Sequence, residues 1–114
     1  MLRRGCLRLA PAQLPVSSIT QRMREEKLFE WKAETPGAGR STLSKKFVFR
    51  DFHAAWGFMS GCVPYINAVD HHPEWFNVYN RVEVTLSTHD CGGISEKDIA
   101  LAVEMERVAN VCAK

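Results

Sequence analysis

Residues 45–50 alternate, with Phe47 and Phe49 on one side and Lys46, Val48 and Arg50 on the other. A period of two over this length predicts a half-buried strand. The pattern then switches to a helical period. Asp51 is a good N-cap, and Phe52, Ala55, Trp56, Met59, Cys62, Val63 and Ile66 fall on one stripe. Phe58 lies off that stripe, as a second contact or a surface for another subunit. Pro64 interrupts the pattern; in a helix interior it removes a hydrogen bond at roughly 3 kcal/mol, so a kink is expected there. The helix is expected to reach about Asp70, because His72 precedes Pro73 and is pushed out of the α region. Residues 74–79 and 82–88 then read as two strands around Asn80-Arg81. In the second of them Val82, Val84 and Leu86 face the core, while Arg81, Glu83, Thr85 and Ser87 face away.

Two further helices complete the pattern. Over residues 15–28, Val16, Ile19, Met23 and the stem of Lys27 share one side, and Pro15 suits the first turn. Trp31 follows, and Pro36-Gly37-Ala38-Gly39 is a loop by composition. After the helix-breaking pair Gly92-Gly93, the capping box Ser95-Glu96-Lys97-Asp98 opens the last helix. Its apolar stripe is Leu101, Ala102, Met105, Val108, Ala109 and Cys112. The order α-β-β-α-β-β-α with short strand links predicts an α+β fold, a four-stranded antiparallel sheet with three helices packed on one face. The sheet's other face and its edges are left for self-association.

Length and charge narrow the functional classes. A chain of 114 residues makes one domain. The formal charge of +2 gives no support for nucleic-acid binding, and no apolar run approaches the ~20 residues of a membrane span. Cys6, Cys62, Cys91 and Cys112 are far apart with no C-x-x-C pair, so reduced thiols are expected rather than a zinc cluster or a disulfide framework. Residues 1–13 hold Arg3, Arg4 and Arg8, and the first acid is Glu25. This reads as a basic tail or targeting segment ahead of a domain at 14–114; a cytoplasmic location is expected, with a mitochondrial one as the alternative.

The candidate chemistry is imidazole chemistry. His71 and His72 lie between Asp70 and Pro73, and His89 lies just past the last strand. Three histidines at element ends point to proton transfer, since imidazole gives and takes a proton near neutral pH. His53 sits on the polar side of a first turn and is read as a solvated surface residue. Consecutive histidines diverge, and neither His71 nor His72 with His89 and Cys91 has a diagnostic zinc spacing, so no metal is expected. Asp70-His71-His72 also spells the motif of the DHH phosphoesterases, which need further upstream aspartates and a much longer chain. A purely structural role is the blander reading, opposed by the cost of burying three imidazoles and an acid.

A longer pattern is more specific. His71-His72-Pro73, five residues, Tyr79, nine residues, His89, eight residues, Asp98 resembles the signature of the pterin-4a-carbinolamine dehydratases, a family also known as dimerisation cofactors of a hepatocyte homeodomain transcription factor. Asp51-Phe52, Trp56-Gly57-Phe58-Met59, residues 71–80 and Leu86-Ser87-Thr88-His89 are similar to that family too, and the resemblance covers roughly 14–114. It implies dehydration of 4a-hydroxytetrahydrobiopterin to quinonoid dihydropterin and water, in tetrahydrobiopterin recycling. The pterin is then substrate, and no cofactor is implied. It implies His71, His72 and His89 as catalytic residues. Substrate contacts are implied for the same three with Pro73, Thr88, Asp90 and Cys91, and secondarily for Asp70 and Trp31. A homotetramer is implied, with a dimer as fallback. The alternative function is a non-catalytic module that stabilises dimerisation of a transcription factor. Asn67 stands where the family usually carries Glu or another ionisable group, and Pro64 and the longer 36–39 loop are atypical of the family as well. If the helix ran on to His71, Asn67 would lie one turn from that ring.

Overall fold

The computed structural model describes residues 12–35 and 40–112. The basic tail expected at 1–13 therefore lies outside the described residues apart from its last two, as do Cys6 and the loop at 36–39. Helix α1 (Val16–Glu25) is followed by β1 (Lys32–Glu34), β2 (Thr42–Val48), α2 (Phe52–Val69), β3 (Glu74–Val78), β4 (Arg81–Leu86) and α3 (Glu96–Cys112). The four strands form one antiparallel sheet in the order β1-β2-β4-β3. The three helices cover one face, which is the expected architecture. No helix among the described residues is long and apolar enough to cross a membrane.

Register explains the core. Leu43 pairs with Leu86, Lys45 with Val84 and Phe47 with Val82, so these residues share the helix-facing side. Lys46, Val48, Phe76 and Val78 occupy the open face and are exposed. The hairpin turn is Tyr79-Asn80, one position earlier than expected, because Val78 pairs with Arg81 and Tyr79 takes a left-handed φ of 51°. Asn80 locks this turn to β2: its amide donates to the Phe49 carbonyl and its carbonyl accepts the Phe49 N–H, both at 2.8 Å.

Helix α2 begins as expected, with the Asp51 carboxylate accepting the Ala54 N–H at 2.9 Å, and runs through Pro64 without interruption. Its rotation differs from the expected one. The buried stripe is Ala54, Ala55, Phe58, Cys62 and Ile66, whereas Phe52, Trp56 and Val63 are exposed, Trp56 by 56%. The helix is apolar over much of its circumference, so two stripes satisfy the same period. The sheet decides between them, because the Phe58 ring packs 4.7 Å from Phe47 and 5.1 Å from Phe49. Gly61 helps to hold that rotation. A methyl there would come within 2.8 Å of Val108, so α2 and α3 cross closely at this point.

Helix α1 is shorter than its apolar pattern. Lys27 is left-handed at φ 60°, and the Leu28 N–H returns to the Met23 carbonyl at 2.8 Å, a six-to-one closure that ends the helix. Leu28 thereby enters the core, while Val16 and Lys27, expected on the inner side, are exposed. On the far flank the Glu106 carboxylate accepts the Trp31 indole N–H at 2.8 Å and the Lys45 ammonium at 2.6 Å, joining β1 and β2 to α3. Burial pushes the Cys62 thiol up to about 12, with the Glu104 carboxylate adding to the effect.

Candidate active site

The site starts where α2 stops. Asp70 adopts a left-handed conformation, φ 53° and ψ 48°, which aspartate tolerates better than most side chains. The His71 N–H then returns to the Ile66 carbonyl at 3.3 Å. This closure turns the chain so that the His71 ring goes inward and is buried, while Asn67 and His72 stay exposed. The left-handed residue also breaks the helical spacing, so Asn67 and His71 are not the one-turn pair that a continuous helix would make.

The buried partner of His71 is Asp98. His71 Nε2 lies 2.7 Å from Asp98 Oδ1. The other oxygen, Oδ2, accepts the Thr88 hydroxyl at 2.7 Å and the Ser95 N–H at 2.9 Å. That last bond is the reciprocal half of the capping box, an N3 acid reaching back to the N-cap amide. Asp98 therefore both starts α3 and faces the histidine. A carboxylate is acceptor-only, so the ring must donate from Nε2, and in the neutral imidazole the lone pair is on Nδ1.

Thr88 reaches Asp98 because the chain after β4 closes on itself. Thr88 and Gly93 form an isolated antiparallel bridge, with the Thr88 N–H on the Gly93 carbonyl at 2.8 Å. Between them His89–Cys91 makes a 3₁₀ turn ended by Gly92 at φ 72°, where a glycine is suited. His89 and Asp90 are exposed, and the Cys91 thiol points to the Thr88 and Gly93 carbonyls. His89 Nδ1 lies 3.2 Å from Arg40 Nη2. A guanidinium only donates, so this contact needs a lone pair on Nδ1 and puts the His89 proton on Nε2. Arg40 is placed by its neighbour. Ser41 is buried, its hydroxyl accepting the Ile94 N–H at 2.9 Å and its carbonyl accepting the Ser87 hydroxyl at 3.1 Å.

Thus the sheet end and the two helix ends bring His71 and Thr88 onto one carboxylate, with His72 adjacent to one and His89, Asp90 and Cys91 following the other. His72 and Asp70 approach at 3.3 Å in the open. Pro73 is half-buried at the entrance to β3. Trp31 is not brought to this group: its N–H is committed to Glu106, eight residues and about 12 Å along α3 from Asp98. Sequence reasoning singled out neither Arg40 nor Ser95 as site residues. It recognised Asp98 only as a capping and signature residue. Among the described residues, no group of three or more His, Cys, Asp or Glu side chains is placed to hold a metal ion.

Comparison with known proteins gives the family and the fold. Residues 12–108 match the family described as Pterin 4 alpha carbinolamine dehydratase. The chain belongs to that family. Over 83 residues it is 49% identical to a putative pterin-4-alpha-carbinolamine dehydratase of Nitrobacter winogradskyi, covering 69% of this chain and 82% of that protein. Over 73 residues it is 51% identical to the pterin-4-alpha-carbinolamine dehydratase of Drosophila melanogaster, covering 64% of this chain but only 38% of the fly protein's length. The crystal structure of a transcriptional coactivator/pterin dehydratase from Brucella melitensis superposes with a TM-score of 0.76 at 40% identity, covering 85% of this chain and 98% of that one. The dehydratase family fold is therefore the α+β fold described above.

Proposed function

We propose that this chain dehydrates a 4a-hydroxytetrahydropterin to the quinonoid dihydropterin, by histidine acid–base catalysis without a cofactor. Loss of water breaks the C4a–O bond and turns the N5–H electron pair into the C4a=N5 double bond. One proton must reach the departing hydroxyl and one must leave N5, so the proton count balances. The observation that carries this reading is the buried His71–Asp98 pair at 2.7 Å, together with a second histidine, His89, held in the same Nε2–H tautomer by Arg40. With its Nε2–H on Asp98, His71 offers the Nδ1 lone pair as base toward N5, and Asp98 stabilises the imidazolium that forms, as in other His–Asp pairs. His89 offers Nε2–H as the acid toward the 4a-hydroxyl. Exposed His72 and Asp70 lie at the mouth with Pro73, while Asp90 and Cys91 flank the ring from the turn. Thr88 acts from behind, through Asp98. The test is to supply chemically generated 4a-hydroxytetrahydropterin to the purified chain and follow the quinonoid chromophore. Acceleration over buffer is expected; a rate equal to that in buffer would overturn the reading.

Self-association is the second part of the proposal, carried by the exposed Phe52, Trp56 and Val63 on α2. Equivalent helices packing through this stripe, with β3 edges meeting, would give a homotetramer, or a dimer if only one contact forms. The same stripe suits an amphipathic helix of a transcription factor, the non-catalytic alternative. Light scattering decides the first point: Trp56→Glu should lower the oligomer mass, and a monomeric wild type would overturn it. A chain that binds such a helix yet fails the dehydration assay would favour the alternative.

A further inference from the structure

Behind the His71–Asp98 pair lie two hydroxyls that neither the signature nor the acid–base step requires. Ser95, Thr88 and Asp98 are all buried, and Ser95 Oγ lies 2.7 Å from Thr88 Oγ1. Their hydrogen bonds admit one direction only. Thr88 Oγ1 is 2.7 Å from the carboxylate oxygen Asp98 Oδ2, which has no proton to give, so Thr88 must donate there. Having one proton, Thr88 can then only accept from Ser95. The Ser95 hydroxyl is free to donate, because its own oxygen already accepts the Lys97 N–H at 3.2 Å. Reversal would set two lone pairs against each other at 2.7 Å inside the protein, where an unmade hydrogen bond is costly.

We infer that Ser95 and Thr88 form a one-way hydroxyl relay that fixes the rotation of the Asp98 carboxylate, and so the geometry of the hydrogen bond that orients the His71 ring. Both are positioning residues. With Oδ2 held by the Thr88 hydroxyl and the Ser95 N–H, Oδ1 alone is left for His71 Nε2. Without the Thr88 hydroxyl, one fixed amide remains on Oδ2, and the carboxylate can turn about its last torsion. His71 keeps its proton on Nε2, since either oxygen only accepts, but that hydrogen bond weakens and the ring is no longer held in one orientation. The backbone bridge between Thr88 and Gly93 sets the reach of the relay, since it seats the Thr88 side chain against the start of α3.

The turnover part of this inference rests on the dehydratase reading; the hydrogen-bond part does not. The experiment is ¹⁵N NMR of the His71 ring nitrogens in the ligand-free protein, for wild type, Thr88→Val, Thr88→Ser and Ser95→Ala. Wild type should show a pyrrole-type Nε2 and a pyridine-type Nδ1. Thr88→Val should shift the Nε2 signal as its hydrogen bond to Asp98 weakens while Nδ1 stays pyridine-type, Thr88→Ser should restore it, and Ser95→Ala should fall between. A merely structural role would lower the melting temperature without moving these signals. In the dehydration assay kcat of Thr88→Val should fall on the order of 10–10²-fold, the scale of a small misplacement of a catalytic group, with KM little changed. His71 nitrogens unmoved in Thr88→Val would overturn the relay. If Thr88→Val does not fold, unmoved nitrogens in Ser95→Ala overturn it instead. A wild type with the expected nitrogen signals but no turnover would refute the dehydratase reading and leave the relay standing.

Discussion

Replacing Asp98 by asparagine changes one atom and forces a choice. The amide must put its oxygen on one side and its NH₂ on the other. On the δ2 side stand the Thr88 hydroxyl, which can rotate, and the Ser95 backbone N–H at 2.9 Å, which cannot stop donating. On the δ1 side stands His71 Nε2 at 2.7 Å, whose ring can move its proton to the other nitrogen. The oxygen therefore stays at δ2 and the NH₂ meets His71, which must become an acceptor at Nε2 and carry its proton on Nδ1. That removes the base from the face offered to the substrate. Acid–base catalysis is worth ~10²–10⁴-fold, and an Asp-to-Asn exchange that inverts a catalytic histidine's tautomer costs about 10⁴ in turnover, so kcat should fall by ~10³–10⁴. Stability should fall by only about 1–3 kcal/mol, because every donor keeps a partner and only charge assistance is lost. The assay is single-turnover formation of the quinonoid product, with circular dichroism for folding and ¹⁵N NMR for the tautomer. Near-normal turnover in a variant whose His71 tautomer has inverted would refute the assignment of His71 as base.

Other outcomes follow from single contacts. Cys62, buried and pushed up to about 12, should resist alkylation in the folded protein at neutral pH while half-buried Cys91 and Cys112 react; equal labelling rates by mass spectrometry would contradict that packing. Gly93→Ala would place a methyl 2.5 Å from Ser41 Oγ and Gln13 Nε2. Ser41 must then release the Ile94 N–H, so unfolding should cost about 1–3 kcal/mol less, and an unchanged denaturation midpoint would show that the loop yields freely. Arg107 holds the Glu104 carboxyl below its ordinary value of 4.5. A lowered folded-state value adds stability above the unfolded one and loses it as pH falls through the folded one. Arg107→Ala should therefore destabilise slightly at neutral pH and not at all once Glu104 is protonated, as read by urea titration across that range; a penalty that persists in acid would contradict the ion pair.

The hairpin of β3 and β4 and the inward face of β2 were legible because a period of two has one solution when a single face is buried. Helix α2 was legible in extent but not in rotation. Its apolar residues satisfy two stripes, and only the Phe47 and Phe49 rings of the sheet select the one containing Phe58. The left-handed residues Lys27, Asp70 and Tyr79 carry no glycine signal, so the end of α1 and the exact turn of the hairpin shifted. At the site, the histidines stood out by their place at element ends, and Thr88 entered only through the family resemblance. Asp98 was already explained locally as a cap, and its tertiary role appears only when His71 arrives from α2. Arg40 follows a glycine-rich loop and meets His89 across 49 residues of chain, a contact with no local signal.

The proposed site is tested most directly by the kinetics of three variants, His71→Ala, His72→Ala and His89→Ala, measured with 4a-hydroxytetrahydropterin beside the wild type and with circular dichroism confirming each fold. His71→Ala and His89→Ala should each lose ~10²–10⁴-fold in kcat, the worth of a general base or acid. His72→Ala, whose ring is exposed, should act mainly through KM. Wild-type kcat and KM in all three variants would contradict the site.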